Sequence, residues 1–306
     1  MIRLAIIGAG NIAKEHLNAI CSIKEFKVIS ITSRTTKKAK VLAKNYKIEK
    51  IYESIDTMLK VEKLDAVAVF VSAENMFEVL KKIIKYKIIF FFEKPAALNF
   101  RQTMVLHRLA KKYKVKNMVG LNRRFYSVFH KGIKFLNQKG GLKGLLVEGH
   151  ERFWKIKSQN KLVYDNWVYA NSIHTLDLLR FFGGDIKHYK SFSYNEKKFK
   201  NFTISLKFKN KMVGTYISNW HSPGGWTVTL FGKLYTIVFK PLEKGYIINH
   251  RFKTKKILPN QFDLKFKPGF YNQMLYFKNL VKHGRLEFPA QSLNDLLKTI
   301  KLINTI

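Results

Sequence analysis

A glycine-rich turn between an apolar segment and a helical segment constrains this fold more than any other feature. Arg3–Ile7 is a short apolar segment, Gly8–Ala13 reads Gly-Ala-Gly-Asn-Ile-Ala, and a helical pattern follows toward Ile20. Such a Gly-x-Gly-x-x-Ala turn lets the backbone approach a pyrophosphate and directs a helix N-terminus at its charge. A tight strand-to-helix turn that binds no ligand has the same pattern. The elements that follow in the sequence therefore have to distinguish a dinucleotide-binding turn from a merely tight one.

Further apolar strands alternate with helices through the first 121 residues. The predicted strands after the first are Lys27–Thr32, Asp65–Val71, Ile88–Phe92 and Asn117–Leu121, and the predicted helices between them are Thr36–Asn45, Met76–Lys85 and Phe100–Tyr113. Near-continuous apolar strands that alternate with helices are typical of a parallel sheet covered on both faces. The sequence therefore predicts an α/β Rossmann domain with a doubly wound parallel sheet over residues 1–121, and it favours dinucleotide binding.

The remaining residues, 122–306, have a different pattern. The predicted strands are Leu142–Trp154, His188–Tyr194, Phe202–Phe208, Met212–Trp220, Trp226–Phe231, Tyr235–Phe239 and Tyr246–His250, and the predicted helices are Asn171–Phe182, Gly269–Val281 and Leu293–Ile303. Consecutive strands with short connections predict a C-terminal α+β domain with a large, mostly antiparallel, open-faced sheet. An apolar open face needs a covering partner, so we expect a homodimer or homotetramer. The last helix is a candidate to pack back on the first domain.

The residues after the second strand bear on the choice of cofactor. An acidic residue there would bind the ribose 2′-OH of NAD, whereas an Arg accommodates the 2′-phosphate of NADP. This chain has Ser33, Arg34 and Thr35 at that position and no acid. The sequence therefore favours NADP(H) over NAD(H). The alternative to a role in cofactor choice is that Arg34 is one more surface cation of a basic protein.

The charge is unusual, with 57 Lys+Arg against 20 Asp+Glu and a formal net charge of +37. The basic residues are spread along the chain, and only ten of them are arginine, the residue that base and phosphate readers favour. We therefore expect no specific nucleic-acid partner, although an attraction for anionic ligands remains. One cysteine excludes an internal disulfide, and no apolar stretch approaches the roughly 20 residues of a membrane span. A cytoplasmic protein is the expectation.

Four motifs in order resemble those of one enzyme family. They are Gly8–Ala13, Phe92-Glu93-Lys94-Pro95, Asn122-Arg123-Arg124-Phe125 and His174-Thr175-Leu176-Asp177-Leu178. Together they resemble the Gfo/Idh/MocA oxidoreductases, the relatives of glucose–fructose oxidoreductase and inositol dehydrogenase. The resemblance implies nicotinamide-dependent hydride transfer to or from a carbon of a sugar, cyclitol or nucleotide sugar. The positive charge would suit a nucleotide sugar made for surface polysaccharide.

The resemblance also implies the site residues. Lys94 and His174 are the candidate catalytic groups, because hydride transfer needs a cation near the reacting oxygen and a group that titrates near neutral pH. The candidate cofactor-binding residues are Gly8, Gly10, Asn11, Ile12, Ser33, Arg34, Ser72, Glu93 and Lys94. The candidate substrate residues are Arg124, Asn171 and Asp177. No metal is expected. A surface Lys-Pro turn and a core histidine are the alternatives for the two catalytic candidates.

The chain departs from the family pattern in two places. Ala170 stands where an Asp or Asn is usual, with Asn171 one place further, and Phe77 stands where a His is usual. A catalytically inactive sensor or regulator that binds NAD(P) is therefore an alternative to an enzyme. Side chains that could stack on or bind a sugar ring, or belong to the core, are Trp154, Lys155, Tyr164, Trp167, Tyr169 and Trp220.

Overall fold

The computed structural model describes residues 1–152, 160–196 and 199–306 and divides into two units. The first unit comprises Met1–Asn122 and Lys265–Lys298, and the second comprises Arg123–Leu264 and Thr299–Ile306. Two of the candidate sugar-binding side chains, Trp154 and Lys155, lie outside the described residues.

The first unit contains a six-stranded sheet whose observed strand pairs are all parallel, in the order β3-β2-β1-β4-β5-β6. Its strands are β1 (Ile2–Ile7), β2 (Phe26–Thr32), β3 (Lys50–Tyr52), β4 (Ala66–Val69), β5 (Ile89–Glu93) and β6 (Asn117–Gly120). The helices between them are α1 (Asn11–Ile20), α2 (Thr36–Tyr46), α3 (Ile55–Val61), α4 (Ala73–Lys85) and α5 (Phe100–Lys112). The predicted doubly wound Rossmann sheet is confirmed.

The sequence analysis missed β3 and α3 in this unit. β3 has only three residues and lies at the sheet edge beside β2, so its pattern is too short to show a period. α3 has seven residues and begins after Ser54, whose hydroxyl accepts hydrogen bonds from the backbone N–H groups of Asp56 and Thr57. This cap stabilises the helix start where the apolar pattern is weak.

The first unit also includes α10 (Phe270–His283) and most of α11 (Leu293–Ile303). The segment that joins them runs beside β6: the Val119 N–H donates to the Gln291 carbonyl at 2.9 Å, and the Leu293 N–H donates to the Asn117 Oδ1 at 2.8 Å. Backbone groups at this sheet edge are therefore paired by residues far along the chain.

The second unit contains an eight-stranded sheet in the order β14-β13-β12-β11-β7-β10-β9-β8. The strands are β7 (Leu142–His150), β8 (Ile186–Glu196), β9 (Phe199–Phe208), β10 (Val213–Asn219), β11 (Gly225–Gly232), β12 (Tyr235–Phe239), β13 (Gly245–Asn249) and β14 (Thr254–Ile257). Only the β7–β10 pair is parallel among the described pairs, so the prediction of a large, mostly antiparallel sheet is confirmed.

Two helices pack against one face of this sheet: α6 (Ser127–Gln138) and α8 (Ile173–Gly183), which follows a π-helical turn at Val168–Ser172. The unit also contains α7 (Lys161–Asp165), and α9 (Gln261–Lys265) ends at the boundary with the first unit. α6, α7, α9 and β14 were not predicted. α6 carries Gly132, where a Cβ would lie 2.8 Å from the Phe239 ring, so the close approach of helix and sheet needs a residue that weakens the helical pattern.

The other face of the sheet exposes large apolar side chains. Val213 is 60% exposed, Phe231 is 42% exposed and Ile217 is 36% exposed, and all three project from the same face of the central strands. Phe192 and Tyr194 of β8 add to this surface. Among the residues that the structure describes, no helix is long and apolar enough to cross a membrane.

Candidate functional site

The glycine turn has a built-in space at the N-terminus of α1. At Gly8, with φ +106°, a Cβ would lie 2.5 Å from the Phe70 carbonyl oxygen, so this glycine is required by the close approach of two backbones. At Gly10 a Cβ would meet no atom within 4 Å. Packing therefore does not explain the second glycine, whereas a ligand that comes close to the backbone at this point does.

The start of α1 suits an anion. Gly10 has no side chain to cap the helix, and the first turn, which begins with Asn11 and Ile12, contains no acidic residue. Ala13 is fully buried, which lets the helix pack closely on the sheet. Free N–H groups and the positive end of the helix dipole therefore point to the space beside Gly10. These residues fit the pyrophosphate of a dinucleotide.

A chain of hydrogen bonds lies across the carboxyl edge of the sheet beside this turn. Arg34 Nη1 donates to Asn75 Oδ1 at 3.3 Å, and Asn75 Nδ2 donates to Ser72 Oγ at 2.8 Å. The Ser33 hydroxyl accepts from the Thr35 N–H. Arg34 is exposed, so its guanidinium can still reach a ligand. The structure thus brings the predicted residues Ser33, Arg34 and Ser72 to one edge, together with Asn75, which the sequence analysis did not single out.

Lys94 follows the last residue of β5. The carboxylate of that residue, Glu93, is buried, and its Oε2 accepts a hydrogen bond from the Lys94 backbone N–H at 3.2 Å. Its Oε1 lies 2.6 Å from Nε2 of His16, a residue that the sequence analysis missed. The only sequence signal for His16 is its spacing of three residues from the buried Ala13, which places both on the buried face of α1.

The His16 imidazole is fully buried between aromatic rings. The rings of Phe70 and Phe270 stack on it at centroid distances of 4.3 Å each, and Phe91 contacts it edge-on. Burial lowers the pKa of His16 below its ordinary value, and this effect outweighs the opposing attraction of the Glu93 carboxylate. A carboxylate can only accept, so the neutral ring carries its proton on Nε2 and donates it to Glu93.

The low pKa of His16 makes an expected contribution to stability. Because the folded-state pKa lies below the unfolded-state value near 6.5, protonation favours unfolding. The stabilisation is complete above the unfolded-state pKa and is lost as the pH falls from there through the folded-state pKa. The slope from one such group is at most about 1.4 kcal/mol per pH unit. Urea unfolding followed by circular dichroism at pH 5.5–7.5 should show a weaker pH dependence in His16→Gln. Nitrogen NMR should show a neutral Nε2–H ring at pH 6.5, and a doubly protonated ring would contradict this assignment.

In the second unit, His174 lies in the first turn of α8 and is buried. Its ring centroid is 6.1 Å from that of Trp226, and the guanidinium of Arg123 lies 4.6 Å from the centre of the same indole. The Trp226 indole therefore lies near both the predicted catalytic histidine and the Arg123 cation.

Asn171 lies on an open cleft of about 360 Å³ within the second unit. The lining residues include Glu151, Trp167, Trp226 and Glu243. Glu151 is buried, and its carboxylate accepts hydrogen bonds from Trp167 Nε1 at 2.9 Å, Asn171 Nδ2 at 3.1 Å and the Ser172 hydroxyl at 2.7 Å. The sequence analysis missed Glu151. It lies just beyond β7, and only folding brings it to residues 16–21 positions further on.

The other two predicted substrate residues pair with each other. Arg124 Nε and Nη2 donate to Asp177 Oδ2 and Oδ1 at 2.5 and 2.9 Å, both side chains are buried, and the Thr299 hydroxyl also donates to Asp177. This bidentate pair joins the segment before α6 to α8, which is a structural task. A role of Arg124 or Asp177 toward substrate stays a prediction.

The aromatic candidates divide by position. Trp167 lines the cleft, whereas Trp220 is buried and donates from Nε1 to the Ser218 hydroxyl. Tyr169 donates to Asn304 Oδ1 at 3.2 Å. Tyr164 is half-buried, and burial raises the pKa of its phenol. Among the described residues, no cluster of three or more His, Cys, Asp or Glu side chains could hold a metal ion.

The parallel six-stranded sheet and the open glycine turn together make a Rossmann fold with a space that suits a dinucleotide. Residues 2–121 match the GFO_IDH_MocA family, described as "Oxidoreductase family, NAD-binding Rossmann fold". This match over residues 2–121 confirms the resemblance that the motifs of this unit predicted.

Curated proteins match part of the chain in sequence. It is 25% identical over 124 residues to inositol 2-dehydrogenase of Rhizobium meliloti (strain 1021), which is 40% of this chain and 37% of that enzyme. The chain spans less than half of the length of the curated relatives that it matches.

Solved structures match in fold over the whole chain. A dehydrogenase from Chromobacterium violaceum has a TM-score of 0.86 at 16% identity, covering 100% of this chain and 94% of that one. A UDP-N-acetylglucosamine 3-dehydrogenase from Acidithiobacillus ferrooxidans has a TM-score of 0.78 at 17% identity, covering 100% and 96%.

Proposed function

We propose that the protein is an NAD(P)-dependent dehydrogenase that transfers a hydride to or from a CH–OH carbon of a sugar, cyclitol or nucleotide sugar. The observation that carries the proposal is the open space at Gly10, beside the uncapped N-terminus of α1, on the sheet edge where Lys94 follows β5. Open α/β sheets bind ligands beyond the carboxyl ends of their strands. The match of residues 2–121 to a family of NAD-binding oxidoreductases supports the same function.

The proposed chemistry divides between few residues. When bound, the nicotinamide cofactor supplies or accepts the hydride. Gly8, Gly10 and the first turn of α1 hold its pyrophosphate, and Arg34 binds near its ribose. The Lys94 ammonium stabilises the negative charge that develops on the reacting oxygen. His174 takes or returns the hydroxyl proton.

The cleft beside Asn171 supports a polyhydroxylated substrate, because aromatic faces and hydrogen-bonding groups line it together. The net charge of +37 favours an anionic substrate, which a nucleotide sugar for surface polysaccharide would be. A screen of nucleotide sugars and free polyols tests the proposal, with turnover of each compound followed by the absorbance of NADP(H) or NAD(H). If the pure protein oxidises or reduces none of these compounds, the proposal is wrong.

A preference for NADP(H) is expected from Arg34. Calorimetric titration should show tighter binding of NADPH than of NADH, and Arg34→Ala should reduce the difference. One or two charge-assisted hydrogen bonds to the 2′-phosphate predict a preference on the order of 10-fold. Lys60→Ala, an exposed cation of α3, serves as the control. Equal affinities in the unmodified protein would disprove the preference.

Self-association through the open sheet face is a further expectation. Val213, Ile217 and Phe231 expose apolar surface on that face, and a second copy that covers it would remove this surface from water. Light scattering should give at least a dimer at micromolar concentration, and Phe231→Lys should shift the mass toward the monomer. A monomeric mass for the unmodified protein would refute it.

The second candidate function is an NAD(P)-binding sensor without turnover. Ala170 favours it, because a buried methyl group stands where the family has an Asp or Asn, and the neighbouring Asn171 is hydrogen-bonded to Glu151. Binding of NADPH with no turnover of any polyol or nucleotide sugar would support the sensor.

A further inference from the structure

A buried hydrogen bond joins the helix after the glycine turn to the strand before Lys94. His16 lies on α1, and its Nε2 is 2.6 Å from Oε1 of Glu93, the last residue of β5. His16 has no solvent exposure, and Glu93 is 7% exposed. One contact therefore ties together the two elements that carry the pyrophosphate site and the candidate catalytic lysine.

The imidazole is held in one orientation. Phe70 stacks on its ring with an interplanar angle of 11°, Phe270 stacks with an angle of 25°, and Phe91 meets it edge-on at 5.2 Å between ring centroids. A ring packed between two others cannot rotate without opening the core. The direction of the Nε2–H donor is therefore set by packing before any ligand binds.

The Glu93 carboxylate is held at both oxygens. His16 occupies Oε1, and the Lys94 backbone N–H donates to Oε2 at 3.2 Å. On the neighbouring strand β6, a Cβ at Gly120 would lie only 3.0 Å from Oε1, so the carboxylate packs closely on this strand and glycine leaves the space for it. The carboxylate consequently orients the peptide group that leads into Lys94.

We propose that His16 is a positioning residue: it acts through Glu93 to set the direction in which Lys94 leaves β5 and its distance from the N-terminus of α1. This role rests on the proposed function of Lys94. A displacement of about 1 Å at a catalytic group costs on the order of 100-fold in rate. A rigid tie between the two elements prevents such a displacement.

Two substitutions separate the hydrogen bond from the packing. His16→Phe keeps an aromatic ring between Phe70 and Phe270 but removes the donor, whereas His16→Gln removes the ring but places an amide donor near the position of Nε2. We expect kcat to fall about 10- to 100-fold in His16→Phe and less than about threefold in His16→Gln. His283→Gln, at an exposed end of α10, is the control and should leave kcat unchanged.

Binding of the cofactor gives the second measurement. The glycine turn is intact in both variants, so the dissociation constant of NADPH, measured by its fluorescence, should change by less than about threefold. A large fall in kcat with nearly unchanged binding distinguishes positioning of Lys94 from loss of the fold. A parallel fall in kcat for His16→Phe and His16→Gln would assign the effect to packing and overturn the proposal.

A third measurement needs no substrate. The Lys94 amide hydrogen, which donates to Glu93, should exchange with solvent at least about 10-fold faster in His16→Phe than in the unmodified protein, and at an unchanged rate in His16→Gln. If exchange follows this pattern but no substrate is turned over, the positioning stands and the proposed function fails. If His16→Phe changes neither kcat nor exchange, the positioning is wrong.

Should His16→Phe fail to fold, Gly120→Ala tests the same tie from the other side. The added methyl group would lie 3.0 Å from Glu93 Oε1 and 2.9 Å from Phe91 Cζ, so it crowds the carboxylate while His16 itself is not substituted. We expect the same signature, with lower kcat and faster Lys94 exchange. Unmodified values for both would overturn the proposal.

Discussion

Replacing Lys94 by Ala is expected to lower turnover by about 10²–10⁴-fold while NADPH binding stays nearly intact, and His174→Ala should have an effect in the same range. The reason is that a cation near the developing alkoxide and a proton acceptor act in the transition state rather than in cofactor binding. Steady-state kinetics on the substrate found by the screen, with a fluorescence titration of NADPH, measure both quantities.

The double variant adds a sharper test of this mechanism. If Lys94 and His174 serve one proton-transfer event, the double variant should be far less impaired than the product of the two single effects. His174→Asn keeps a hydrogen-bonding side chain but cannot titrate, and it should behave like His174→Ala. Near-normal turnover of His174→Asn at neutral pH would show that the proton travels another way, with Lys94 or Tyr169 as the next candidate. Lys60→Ala is the control.

Breaking the buried pair of the second unit is expected to have the largest effect on stability. Arg124→Ala or Asp177→Ala should each lower the free energy of unfolding by about 3–5 kcal/mol, because each leaves a buried charge without its partner. All four tryptophans of the chain fall within residues 123–264, so their fluorescence in a urea titration reports on this unit.

Two comparisons control this prediction. The exposed pair Lys161–Asp165 lies in the same unit, and Lys161→Ala should change the free energy of unfolding by less than about 1 kcal/mol. The apolar double variant Arg124→Met/Asp177→Leu should be less destabilised than the sum of its single changes, since neither charge of the pair is left buried without the other. If Arg124→Ala proves as mild as Lys161→Ala, the pair is not a structural element, and a substrate role for Arg124 gains support.

The elements that the sequence predicted well are those with a strong local signal. β1, β2, β4 and β5 are near-continuous apolar runs, and the glycine turn is defined by residue type and spacing. The existence of these elements and their order along the chain therefore follow from local sequence patterns. The edge strand β3 has only three residues, and the edge strand β14 reads Thr-Lys-Lys-Ile, so neither shows an apolar pattern. Both form because a neighbouring strand supplies hydrogen bonds.

The candidate site divides in the same way. Gly8, Gly10, Lys94 and His174 belong to short motifs in which residue type and local spacing carry the signal, and from these motifs the resemblance to the Gfo/Idh/MocA oxidoreductases could be recognised, which the match of residues 2–121 confirms. His16 and Glu151 carry no such signal. A histidine on a helix face and a glutamate after a strand are ordinary residues in sequence.

The contacts of His16 and Glu151 are visible only in the folded structure. His16 meets a carboxylate 77 positions away and Glu151 meets donors 16 to 21 positions away, because sheet order and helix packing bring distant segments together. The same holds for Arg124 and Asp177, two motif residues that burial turns toward each other across 53 positions. A local sequence pattern indicates the secondary structure that a segment prefers. A buried charge or imidazole has lost its contacts with water and needs a polar partner, and the folded structure determines which residue that partner is.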